Sequence, residues 1–224
     1  MDVPAETPAP GPAGYPRSAG SERGVARRRE LLDRVTDDLA AAGLVGFSLR
    51  RAARAAGTTH KVLLYHFDGA EDLLAQAVLQ LRRRRIDRGL AAATASPVRR
   101  PLADVVRELW PVLVGTGSQV LDAAIGLAMY DPARYADLAR DASAEYLPPL
   151  VSLCPPGWSA QRKLEVAELV LATLRGFLVE WRTSGDEAGV TAGFAALVRA
   201  LEREEAIEQE RRMRLAAGAR KAEK

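Results

Sequence analysis

The 224-residue sequence holds one cysteine and two histidines. With Cys154 alone, no disulfide closes within the chain and no cysteine-rich metal site assembles. His60 and His66 are too few for a multi-histidine centre. No Ser/His/Asp or Cys/His set lies outside the segment holding these histidines, and no phosphate-cradling glycine loop or metal-ligand spacing is found. An enzyme is therefore not expected, and no catalytic residue, metal or cofactor is assigned. Uncharged apolar runs stay below the ~20 residues that span a bilayer. The first residues, with Asp2, Glu6 and many prolines, lack the apolar core of a signal peptide. A cytoplasmic protein with no membrane partner is expected. Aromatics make up only 5% of the chain, and no convincing strand alternation is found.

What is present is alanine, leucine and charge. Hydrophobic residues at 48% and charged residues at 27% are those of a globular chain long enough for a substantial core. The alanine and leucine content favours helix throughout, so an all-α fold of about nine helices is expected. Residues 1–21, rich in Pro, Gly, Ala and Ser, read as a disordered arm.

The segment Gly43 to Leu74 carries the strongest local punctuation. Before it, Leu31 or Leu32, Val35 and Leu39 recur at helical spacing. Gly43 suits a C-terminal cap, and Ser48 an N-cap for a second helix whose inner face is Leu49, Ala52, Ala53 and Ala56. Gly57 breaks that helix and Thr59 caps a third, about His60 to His66, which buries Leu63 and Phe67. Asp68-Gly69-Ala70-Glu71 has the form of a capping box opening a fourth helix. Two short helices joined by a tight turn and fed into a long one have the shape of a helix-turn-helix DNA reader.

Over Arg29 to Leu74 the chain resembles the DNA-binding domain of the tetracycline-repressor (TetR) family of bacterial transcriptional regulators. Ala56-Gly57, the Thr59 cap, Leu63, Tyr65-His66-Phe67 and Glu71-Asp72-Leu73 match the family pattern. Leu64 stands where the family has a phosphate-touching tyrosine, Lys61-Val62 where Gly-Thr is common, and Gly69-Ala70 in place of Ser-Lys. Two phosphate contacts are thereby lost, which implies weaker binding or compensation elsewhere. Residues 17–67 hold ten Lys and Arg against five Asp and Glu, so the positive excess of the chain lies here.

Arg27, Arg28 and Arg29 either follow the DNA backbone or solvate a helix face. His60, Lys61, Leu64 and Tyr65 should face outward. Lys61 can meet a guanine or a phosphate, and Leu64 a thymine methyl. Tyr65 resembles the family's aromatic backbone contact, and His66 either touches a phosphate or makes a structural hydrogen bond. Ser48 and Thr59 complete the candidate DNA-binding set, Thr59 by donating at a helix N-terminus. Arg82 to Arg85 point in four directions about 100° apart and are expected mostly in solvent.

Beyond residue 93 the resemblance rests on length and helix pattern. A helix over Pro101 to Leu113 is interrupted by Pro111, and another covers about Ser118 to Tyr130. A seventh starts at Asp131-Pro132 and is disrupted by Pro148-Pro149. The eighth, about Ser159 to Ser184, is apolar nearly all round, so a partner chain or the core of a monomer must cover its second face. The family's dimer is a four-helix bundle of the last two helices of each subunit. That implies an interface at Val170, Phe177, Trp181, Phe194, Leu197 and Leu201. An effector pocket is expected among the fifth to eighth helices, with Arg107, Trp110, Met129, Tyr130, Glu145, Tyr146 and Arg175 as its candidates. Arg175, amid apolar residues, needs a partner, an internal carboxylate before a ligand.

The resulting layout is an arm at 1–21, a reader at 22–68, a connecting helix at 69–93, an effector and dimer domain at 94–204 and a charged tail at 205–224. The expected function is a homodimeric, ligand-responsive regulator of the repressor kind on a palindromic double-stranded DNA operator, with a small apolar or amphipathic effector. The alternatives are a dimeric regulator without a small-molecule effector, or an interaction module with a weakened reader.

Overall fold

The computed structural model describes residues 21–96, 98–115 and 117–222, so the proposed arm lies outside them except for Ser21. Ten helices and no strand are found among the described residues. They are α1 (Glu22–Ala42), α2 (Leu49–Ala55), α3 (His60–His66), α4 (Ala70–Ala93) and α5 (Leu102–Val114), then α6 (Ser118–Tyr130), α7 (Pro132–Ala139), α8 (Ala142–Leu153), α9 (Ala160–Ser184) and α10 (Glu187–Ala222). None is by itself long and apolar enough to cross a membrane.

The N-terminal helices follow the sequence logic closely. Leu31, Val35 and Leu39 of α1 are fully buried, and Ala52, Ala53 and Ala56 close the small face of α2. Side chains of this size let α2 approach its neighbours closely. Gly57 is favoured by its backbone conformation, and its lack of a side chain leaves room for Arg34. Its φ is +62°, and a Cβ there would lie 3.3 Å from the Arg34 guanidinium. The Ser48 and Thr59 hydroxyls cap α2 and α3, accepting from the Arg51 and Val62 amides. The expected capping box at Asp68 takes another form. Gly69 (φ +121°) occupies the cap without a side-chain bond, and the Asp72 carboxylate accepts from the Asp68 amide at 2.9 Å. Glu71 instead pairs with Arg134 of α7 at 2.8 Å.

The expected seventh helix is two helices. The chain breaks at Arg140-Asp141, whereas Pro148 and Pro149 sit inside α8 and α5 runs on through Pro111. Proline costs the helix a backbone hydrogen bond, but Pro111 and Pro148 face solvent, where the orphaned carbonyls are open to water. The charged tail continues α10, with Glu210–Arg214 paired at 3.7 Å as the spacing predicts. Arg212 lies over Gly157, and Arg211 takes Glu208 at 3.8 Å.

Two apolar clusters hold the fold. One joins α1–α4 to Val120, Leu121 and Ala124 of α6 and Leu138 of α7. The N-terminal helices therefore share their core with helices far along the chain. The other gathers α5, Cys154, Trp158, α9 and α10. Within it α9 and α10 touch closely, since a Cβ on Gly193 would meet the Phe177 ring at 2.7 Å.

Candidate nucleic-acid interface and internal cavity

The third helix is short and fixed at both ends. Leu63 and Phe67 anchor it, fully or nearly fully buried. Its outward residues are His60, Lys61, Val62, Leu64 and Tyr65, all exposed, with Leu64 at 50% and Tyr65 at 48%. An aliphatic and an aromatic side chain left half in water on a rigid cationic helix can lie against base methyls and backbone. Arg29, Arg50 and Arg54 are also exposed.

Other basic residues turn inward. Arg28 donates to the His66 carbonyl at 3.0 Å and to Gln76 at 2.6 Å, with its guanidinium 4.8 Å from the Phe67 ring centre. It ties α1 to the end of α3 and to α4, a structural role that its place in the basic run did not indicate. Arg27 pairs with Glu30 at 2.6 Å. Arg51 bonds Asp38 and the Val45 and Gly43 carbonyls. Of the triple arginine, Arg29 faces outward without an ion pair among the described residues.

His66 also turns partly inward. Its Nδ1 is buried without a hydrogen-bond partner, and its ring meets Tyr65 edge-on at 5.0 Å. Desolvation first, then the Arg28 and Arg27 charges, hold its pKa below histidine's ordinary 6.5. A neutral, half-buried ring is a poor phosphate ligand. The unfolded chain takes up this proton at higher pH than the folded one. Stability from His66 is thus full above about pH 6.5 and declines as pH falls below that value. Thermal midpoints of the unaltered chain and His66→Gln, compared between pH 7.5 and 5.5, should converge if this holds; a parallel decline would remove His66 as the cause.

A second site lies in the C-terminal half. A cavity of about 80 Å³ opens between α4, α5, α6, α8 and α9, its apolar wall including Leu109, Leu121, Ile125, Leu171 and Leu174. Of the sequence candidates, Tyr146 and Arg175 line it. The other five are elsewhere. Arg107 is on the surface, bonded to Asp104 and to Glu202 at 2.5 Å. Trp110 stacks in the α5–α9–α10 seam, its ring centre 5.2 Å from Phe194 and 6.3 Å from Phe177. Met129 and Tyr130 project into solvent at the end of α6, 80% and 88% exposed. Glu145 is held by Arg82 at 2.9 Å and Arg83 at 3.6 Å.

The four-arginine run was expected mostly in solvent, and only Arg83 is there. Arg82 and Arg85 are buried and reach the cavity, and Arg84 bridges to Asp33 at 2.7 Å and Asp37 at 2.6 Å on α1. A missed signal was available, since residues 82 and 85, three apart, share a helix face with Val78 and Leu81. Arg175 has no carboxylate partner among the described residues. It donates to the Ser143 hydroxyl at 2.8 Å and lies 5.6 Å from the Tyr146 ring centre. Burial, with Arg82 and Arg85 nearby, lowers its pKa, while Tyr146 and Glu168 oppose that shift. Burial raises the Tyr146 pKa against the pull of the same three arginines, so the phenol stays neutral.

The interface residues proposed from sequence are also redistributed. Val170, Leu197 and Leu201 are buried in the chain's own second cluster, and Phe177 and Phe194 pack on Trp110. Trp181 is partly open beneath Arg182.

The fold and the outward helix define the class as an all-helical helix-turn-helix protein with a helical C-terminal half. Solved structures carry the comparison further: the fold is similar to that of TetR-family transcriptional regulators. A TetR-family regulator from Cytophaga hutchinsonii superposes with a TM-score of 0.60 at 14% identity, over 79% of this chain and 94% of the other. One from Mesorhizobium loti gives 0.58 at 20% identity, over 81% and 97%. The regulator FadR from Bacillus subtilis, in complex with stearoyl-CoA, gives 0.54 at 14% identity, over 77% and 96%. No family model and no curated protein matches the sequence.

Proposed function

We propose that this chain is a sequence-specific DNA-binding transcriptional regulator that works as a homodimer, as a repressor, with affinity set by an effector in the internal cavity. The observation that carries the reading is α3. It is a capped, anchored helix whose Lys61, Leu64 and Tyr65 face away from the protein. Residues 22–68 then read DNA, 69–93 connect, and 94–204 receive the effector and the partner. The structural likeness to TetR-family regulators supports the same assignment.

The dimer face follows from α9 and α10. Leu169, Ala172, Gly176 and Val179 form one exposed row, and Ala192 and Ala196 another. Leu169 is 52% and Val179 60% exposed. The small residues among them let two helix pairs approach into a four-helix bundle.

Helix α4 carries the coupling. Gln76, Gln80 and Arg84, four residues apart, bond Arg28, Asp33 or Thr36, and Asp37 of α1. Arg82 and Arg85 of the same helix reach the cavity. An effector that prefers one position of α4 shifts both readers of the dimer and their spacing on two major grooves.

Selection of sites from random duplex DNA, repeated across a salt series, tests the reading. An inverted repeat is expected, with affinity falling steeply in salt as counterions are released. Weak, salt-sensitive binding without enrichment would instead favour an interaction module whose reader is degraded at Leu64 and Ala70.

A further inference from the structure

The cavity has a charge that its own residues do not balance. Three guanidinium groups reach it, from Arg82, Arg85 and Arg175. Glu145 is engaged by Arg82 and Arg83, and Asp122, also at the wall, is taken by Arg182 at 2.5 Å. Arg85 is 6% exposed and donates to the Leu113 carbonyl at 2.9 Å, yet its Nε is buried without a partner among the described residues. One Nη of Arg175 is likewise buried and unpartnered. Both guanidinium groups lie over the Tyr146 ring, Arg85 at 6.0 Å and Arg175 at 5.6 Å from its centre.

Buried cations without a counter-charge are costly, and a bound anion removes that cost. The remaining wall is aliphatic, so an inorganic anion would leave most of it unfilled. Resting on the reading of this chain as an effector-responsive regulator, we propose that the cavity binds a small organic carboxylate, its head between Arg85 and Arg175 and its apolar body against Leu109, Ile125 and Leu171.

Two features shape the ligand. A planar carboxylate suits guanidinium donors, which match it two bonds at a time. At about 80 Å³ the space takes a headgroup and a few carbons. A longer tail has to push helices apart, and α4 is among those that form the wall. The ligand's body would then act on the helix that grips α1.

The test is calorimetric titration of the full chain with hexanoate, hexanamide and sulfate in turn, without DNA. Hexanamide has nearly the same shape and no charge; sulfate has charge and no apolar body. Hexanoate is expected to bind at least tenfold more tightly than either. In Arg175→Gln, hexanoate binding should weaken at least tenfold and hexanamide binding stay unchanged. The ligand comparison needs no variant, so it stands even if Arg175→Gln misfolds. Equal binding of hexanoate and hexanamide, equal binding of sulfate, no binding of hexanoate, or an unaffected Arg175→Gln would each overturn the proposal. Such failure leaves DNA selection by the chain untouched, and absence of DNA selection leaves the titration standing, so the two readings fail separately.

Discussion

Leu63→Ala is expected to cost the chain about 2–5 kcal/mol and its thermal midpoint roughly 5–15 °C, the usual range for emptying a buried leucine site. Leu63 is fully buried among the residues that join α1 to α4. A seven-residue helix such as α3 does not persist alone in water, because nucleation outweighs so few hydrogen bonds. Its order comes from Leu63 and Phe67 seated in the core. Specific DNA binding should therefore fall further than stability does, as the outward side chains lose their fixed positions. The neighbouring Leu64→Ala provides the contrast. Leu64 is 50% exposed, so stability should stay within about 0.5 kcal/mol while base preference changes. Melting curves and binding to the selected site, measured on both variants, decide the matter. Full specific affinity in a folded Leu63→Ala chain would show that α3 is not the reader.

Gly176→Glu should have opposite effects on the chain and on its dimer. A Cβ at Gly176 meets nothing within 4 Å in the chain itself, so the substitution adds no internal clash. Glycine inside a helix costs up to ~1 kcal/mol relative to good helix formers, so the isolated subunit should become slightly more stable. Across a two-fold bundle the new carboxylate would face its own copy in a contact fitted to a glycine. The chain should then be monomeric, and operator affinity should fall about 100-fold or more, since one half-site no longer holds the other reader close by. Sedimentation equilibrium with a salt-controlled binding assay reads both effects. A dimer that persists would move the interface off the α9–α10 face.

Legibility in the sequence varied with the distance over which a residue acts. The helix-turn-helix was legible because its signals are local. Ser48, Gly57, Thr59 and the apolar spacing of Leu63 and Phe67 act within one or two turns, and α2 and α3 form where they indicate. Arg28, Arg51 and His66 looked like an extension of the basic surface, but Arg28 bonds groups 38 and 48 residues away, Arg51 bonds Asp38 13 residues away, and the His66 Nδ1 is buried without a partner among the described residues. No spacing rule reports that. The dimer and pocket candidates suffered likewise. An apolar residue on α9 looks the same in sequence whether it faces α10, as Val170 and Leu174 do, or solvent, as Leu169 and Val179 do.

The sequence by itself determined the helical class, the capped pair α2 and α3, and the outward Lys61, Leu64 and Tyr65. These depend on hydrogen bonds and periodicities closed within a few residues, which composition and order specify directly. Only the tertiary structure decided which arginines are surface and which are struts. It alone made Arg82, Arg85 and Arg175 neighbours of one cavity and turned Arg84 to α1. Those outcomes depend on how α4 is sandwiched between α1 on one side and the C-terminal helices on the other. A charge buried by that packing must find its partner across the fold, or keep an unmet valence there for a ligand.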